Sequence, residues 1–112
     1  MKRIVAATFV ALILAVVVQA QNGLAGKWAG ETKTGASVTL ELTVKGTVLT
    51  GTMTNAGESL SLEDGTVAKN TFTFSVTHQE TKVDFTGEFT GNDMLVWMDR
   101  QGRDRAAVLK RQ

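Results

Sequence analysis

Cysteine is absent from the 112 residues, which excludes a disulfide framework, a thiolate metal site and a lipid-bearing cysteine behind a leader. Histidine occurs once, as His78. One imidazole cannot make a typical zinc site, and it is the only imidazole on hand as a general base for a nucleophile. Tyrosine is missing too, and a membrane-spanning barrel needs aromatic girdles around an outward apolar band. No charge of one sign dominates: 12 basic residues stand against 11 acidic ones. A chain this close to neutral has no overall field to recruit nucleic acid, whose binding relies on many Lys and Arg contacts to phosphate.

A long apolar run occurs once, at the start. Lys2 and Arg3 precede Ile4 to Val18, which is apolar apart from Thr8, and Val18-Gln19-Ala20 offers small residues at the cleavage-determining positions. This is the pattern of a signal peptide over residues 1–20, with the mature chain starting at Gln21. The run is about 15 residues, short of the roughly 20 that span a hydrocarbon core as a helix, and no second run follows. A soluble exported product, periplasmic or extracellular, without a membrane span is expected. Residues 21–112 then make one domain with one core. Removing Lys2 and Arg3 from the 12 basic residues leaves 10 against 11 acidic ones, a net charge of −1.

From Gly26 onward the pattern has period two, the mark of strands with one buried and one wet face. In Ser37 to Lys45, Val38, Leu40, Leu42 and Val44 alternate with Thr39, Glu41, Thr43 and Lys45. Phe72, Phe74 and Val76 alternate with Thr and Ser, and Val83, Phe85, Gly87 and Phe89 alternate with Thr and charged residues. Turn signals at Lys45-Gly46, Asn55-Ala56-Gly57, Asp64-Gly65, Lys69-Asn70, Gly91-Asn92-Asp93 and Gln101-Gly102 punctuate the runs. The expected strands are Gly26 to Lys33, Ser37 to Lys45, Val48 to Thr54, Ser59 to Ala68 kinked at Asp64-Gly65, Thr71 to Thr77, Lys82 to Thr90, Met94 to Asp99 and Asp104 to Lys110. Such an all-β antiparallel up-and-down meander escapes exposed edges by closing into a roughly eight-stranded barrel. A sandwich is the alternative.

Little in the chain suggests chemistry. His78 falls in the turn His78-Gln79-Glu80-Thr81, and Asp84 and Glu88 share the wet face opposite Phe85 and Phe89. Glu31, Glu41, Glu58, Glu63 and Asp64 read as surface charge. No enzyme, cofactor or metal is expected. Arg100 to Arg111 holds five basic residues, either an outward-solvated hairpin or a patch for an anionic partner. Met94-Leu95-Val96-Trp97-Met98 is apolar on both faces. With Leu95 and Trp97 inward, Met94, Val96 and Met98 form an outward stripe, covered by a terminal segment or serving as an interface with a partner or a second copy.

The stretch Gly26-Lys27-Trp28 followed by Leu49-Thr50-Gly51-Thr52 resembles the opening of avidin and lipocalin-like barrels. A fuller resemblance is to small exported bacterial proteins of lipocalin-like or avidin-like build. Their pattern is followed here by Gly26-Lys27-Trp28, Leu49-Thr50-Gly51-Thr52, Asp64-Gly65-Thr66-Val67, Phe85-Thr86-Gly87 and Lys110-Arg111-Gln112, nearly the whole of residues 21–112. The resemblance implies a barrel. It does not imply biotin binding, because avidins use an Asn two residues after the Trp and a Tyr on the third strand, where this chain has Gly30 and Met53. The long loops and disulfides of many lipocalins are also missing.

An eight-stranded barrel is just wide enough to be filled by side chains or to hold one small ligand. The inward set Trp28, Leu40, Leu42, Leu49, Met53, Leu60, Leu62, Phe72, Phe74, Phe85, Phe89, Leu95 and Trp97 could pack it solid, whereas Gly30, Gly51 and Gly87 could leave a pocket near one mouth. The first expectation is a non-enzymatic exported barrel binding a small apolar or amphipathic ligand, lined by Trp28, Met53, Phe72, Phe85, Phe89 and Trp97. The alternative is an interaction or inhibitor module with a solid barrel, acting through its outer surface around Met94 to Met98 or Arg100 to Arg111.

Overall fold

Alternation leaves most strands one face to bury, and the chain buries those faces together by wrapping one sheet onto itself. The structure is a computed structural model and describes residues 23–112; the leader expected over residues 1–20 and the start at Gln21 lie outside the described residues. The strands are β1 (Gly26–Glu31), β2 (Ser37–Lys45), β3 (Val48–Asn55), β4 (Glu58–Ser61), β5 (Glu63–Ala68), β6 (Thr71–His78), β7 (Thr81–Thr90), β8 (Asp93–Met98) and β9 (Ala107–Arg111). Each pairs antiparallel with its sequence neighbours, apart from β4 with β5, and β1 also pairs with β9, which closes the barrel. Both β4 and β5 pair with β3. They are two halves of one bent strand, so the barrel is eight-stranded.

Short turns set this topology. The pairs Lys45↔Val48, Asn55↔Glu58, Ala68↔Thr71, His78↔Thr81 and Thr90↔Asp93 each enclose a two-residue loop. Ala56-Gly57 and Gln79-Glu80 have positive φ at both positions, the geometry whose twist matches that of the flanking strands. Several strand limits differ from expectation, β1 ending at Glu31 instead of Lys33. The kink expected at Asp64-Gly65 is a bulge, with Asp64 at φ 53 and the register shifting between Glu63 and Thr66. A further break falls at Leu62, whose N–H donates to the Gly51 carbonyl at 3.0 Å. Instead of extending from Asp104, the last strand begins at Ala107, because Arg103–Arg105 winds into a 3-10 turn with the Arg105 N–H on the Gly102 carbonyl at 3.1 Å.

The face of β8 is the reverse of the one expected. Phe89↔Met94, Gly87↔Val96 and Phe85↔Met98 are Cα partners, and partners across a ladder point to the same side. The phenylalanines of β7 point inward, so Met94, Val96 and Met98 do as well, with Met94 at 2% and Val96 at 3% exposure. The proposed outward stripe of Met94, Val96 and Met98 is therefore part of the core and not an interface. Leu95 and Trp97 take the outer face, where the Arg103 guanidinium lies 5.8 Å from the Trp97 ring centroid and pairs with Glu88 at 2.7 Å.

The inward glycines do not hollow the barrel either. A Cβ on Gly87 would stand 2.1 Å from Cζ of Phe72, whose ring already fills that space. Gly51, at φ 144, brings β3 against the Glu41 carbonyl, which a Cβ would meet at 1.9 Å. Glycine here permits strong coiling of the strands and a ring laid over the backbone.

Candidate functional site

The barrel has two unlike ends. At one, Trp28 is fully buried, and its indole N–H donates to the Leu24 carbonyl at 2.9 Å, so the segment before β1 folds under the barrel with Leu24 as a plug. The Arg111 guanidinium covers the indole face, 4.3 Å from the ring centroid. It also donates to the carbonyls of Ala25, at 2.9 Å, and Gly23, and to Asn92 Oδ1 at 3.1 Å. Phe72 packs between Phe74 and Phe89, with centroids 6.2 Å away in both directions. This end is solid.

At the other end β2, β8 and β9 contribute the small inward residues Val38, Val96 and Ala107, and a cavity of about 270 Å³ opens. Val38, Met53, Phe85, Val96, Met98 and Ala107 line it, each on the inward face of its strand and buried or half-buried. Its rim comes from two connections and a strand end: Thr32, Lys33, Thr34 and Ala36 between β1 and β2, Gln101 and Arg105 between β8 and β9, and Asn55 closing β3. Both connections are braced internally. Thr32 N–H donates to the Ala36 carbonyl at 2.9 Å and accepts at Oγ1 from the Ala36 N–H at 3.1 Å. The N–H groups of Gln101 and Gly102 both donate to the Met98 carbonyl at 3.0 Å. Rim side chains are thus carried on short, self-bonded loops rather than on free chain.

Of the residues expected to line a ligand site, Met53 and Phe85 do line the cavity, and Trp97 borders it from the outer face of β8. Trp28, Phe72 and Phe89 sit toward the closed end and do not reach it. The basic segment from Arg100 to Arg111 is not one patch: Arg103 pairs with Glu88, Lys110 with Asp93, Arg111 covers Trp28, and Arg105 goes to the cavity rim. Not expected in the lining were Val38, Val96, Met98 and Ala107 on the wall and Lys33, Asn55, Gln101 and Arg105 on the rim, Arg105 having entered only as part of the basic segment. The signal that could have found them is small inward residues at one set of strand ends, beside the longer connections.

Among the described residues the lining holds no carboxylate and no imidazole. His78, half exposed beside the turn that ends β6, meets Glu58 Oε1 at 3.1 Å across the seam where β4 and β6 are not hydrogen-bonded to each other. Asp84 accepts from the Ser75 hydroxyl at 2.5 Å on the outer wall. Among the described residues no three His, Asp or Glu side chains gather as they would around a metal ion, and no helix is long and apolar enough to cross a membrane. Comparison of this chain with protein-family models, with curated proteins and with solved structures finds no match.

Proposed function

We propose that the chain is an exported, non-enzymatic barrel that binds a small apolar or amphipathic ligand in the open mouth. The observation that carries this reading is the cavity of about 270 Å³ with an apolar floor, set at one end of a barrel whose other end is solid and latched. An apolar cavity of about 150 Å³ holds benzene, and drug-sized ligands occupy roughly 300–1,000 Å³. A guest of about a dozen non-hydrogen atoms is the matching size. Preformed walls and braced rim loops favour binding, since little has to be ordered when the guest arrives. Export is supported by Lys2 and Arg3 ahead of the apolar run to Val18 and by the small residues Val18 and Ala20. The lipocalin-like or avidin-like character is supported by Gly26-Lys27-Trp28 and Leu49-Thr50-Gly51-Thr52.

Native mass spectrometry of the protein purified from its export compartment tests the reading. The expected spectrum is a species carrying a ligand of defined mass, which disappears in Ala107→Leu, where a larger side chain enters the cavity from a wall position. A bare monomer that also takes up no added apolar guest overturns it. A bare dimer would turn attention to the outer wall at Leu95, Trp97 and Val108, the last 52% exposed.

A further inference from the structure

We propose that the guest is an amphipathic organic anion, its head group between Lys33 and Arg105 and its apolar part against Met53, Phe85, Val96 and Met98. This rests on the reading of the mouth as a ligand site.

The polar part of the lining is one-sided. Among the described residues it holds two cations, Lys33 and Arg105, the amides of Asn55 and Gln101 and the hydroxyls of Thr32 and Thr34, but no Asp or Glu. In a chain with nearly equal numbers of basic and acidic residues, two cations and no acid around one small opening is a local excess that the overall composition does not supply.

Neither cation is used by the fold. Among the described residues the ion pairs are His78–Glu58, Lys82–Asp64, Arg103–Glu88 and Lys110–Asp93, while Arg111 bonds backbone carbonyls and Asn92. Lys33 and Arg105 take part in none of these contacts, which is also true of Lys27, Lys45, Lys69 and Arg100, and it is their place at the opening that sets the two apart. A guanidinium offers a planar fork of donors and an ammonium a compact point charge, and together they suit an anionic head group. The braced loops place both residues at the mouth, with their side chains exposed to an arriving guest. Below them the floor is apolar, so a fully hydrated small anion gains only the head-group contacts and a neutral hydrocarbon only the floor.

The test uses three ten-carbon probes against the folded protein at neutral pH and low salt, by isothermal titration calorimetry: decanoate, decan-1-ol and decyltrimethylammonium. Decanoate is expected to bind about tenfold more tightly than decanol, as two partly exposed charge contacts allow, and the cation more weakly than either. In the Lys33→Gln, Arg105→Gln double variant decanoate and decanol should converge to within about twofold, as they should at high salt. A far-UV circular dichroism spectrum and a Tm matching those of the parent mark the double variant as folded. Decanol binding as tightly as decanoate, or a preference that survives the double variant, overturns the anion assignment and leaves the ligand site standing. Failure of all three probes to bind overturns the ligand site itself.

Discussion

Replacing Gly87 by alanine tests the packing logic of the barrel through the sign of its effect. Gly87 lies inside β7 with no positive φ, a backbone that any residue adopts. With room for the methyl group, Gly87→Ala should stabilise the fold by about 0.4–1 kcal/mol, since it narrows the unfolded chain's freedom. The added Cβ would instead stand 2.1 Å from Cζ and 2.6 Å from both Cε atoms of Phe72. That ring cannot swing aside: it is 1% exposed and held between Phe74 and Phe89. Overpacking of this kind costs about 1–3 kcal/mol. After the backbone gain a net loss of up to about 2.6 kcal/mol remains, centred near 1.3 kcal/mol, a fall in Tm of roughly 5–10 °C for a domain of this size.

Urea and thermal unfolding followed by far-UV circular dichroism would measure the loss. Phe72→Leu removes the obstructing ring, so Gly87→Ala should be milder in that background, with a coupling of about 1 kcal/mol or more in the double-mutant cycle. A stabilised Gly87→Ala, or single effects that add within about 0.5 kcal/mol, would refute the claim that the ring owes its position to the missing side chain.

The latch at the closed end predicts that Arg111→Ala costs about 2 kcal/mol, from the lost cation–π contact and directed hydrogen bonds. Arg111→Lys should recover less than half of it, because an ammonium lacks the planar fork; chemical denaturation reads both. The inward face of β8 predicts that Val96→Lys costs about 3 kcal/mol or more while Leu95→Lys stays within about 1 kcal/mol, and the opposite ranking would return Val96 to the surface. Lys82 titrates above its ordinary range because Asp64 accepts its hydrogen bond at 2.6 Å and adds a favourable charge. Any stabilisation from that contact is present below the ordinary lysine pKa and is lost as pH rises through the raised value. An NMR titration of the Lys82 side chain should show the shift and its removal in Asp64→Asn.

Strands with strict alternation were legible almost to their ends. The run from Ser37 to Lys45 is β2, and those from Thr71 to Thr77 and from Lys82 to Thr90 fall within a residue of β6 and β7, because period two and a two-residue turn leave few other pairings. Composition could not orient β8, where both faces are apolar. Turn parity could: a two-residue loop at Gly91-Asn92 pairs Thr90 with Asp93, hence Phe89 with Met94, and partners share a face. The site was half legible. Met53 and Phe85 were expected in the lining from their inward parity alone, but Lys33 and Arg105 meet at one mouth only because β1 pairs with β9, a closure no local pattern specifies.

That closure also separates stability from binding. The β1–β9 ladder joins the two segments farthest apart in the chain, and it is fastened where Arg111 crosses Trp28 and reaches Gly23 and Ala25, with the Gln112 N–H on the Lys27 carbonyl at 2.8 Å. Large inward residues, Trp28, Phe72, Phe89 and Leu24, gather at that end. At the other end β2, β8 and β9 turn Val38, Val96 and Ala107 inward, small side chains that leave the space unfilled. The rim there depends on hydrogen bonds within its own loops and not on the core. Substitutions of the exposed rim residues Lys33, Gln101 and Arg105 can therefore alter what is bound at little expense to folding, while a change in size at the latched end has nowhere to go.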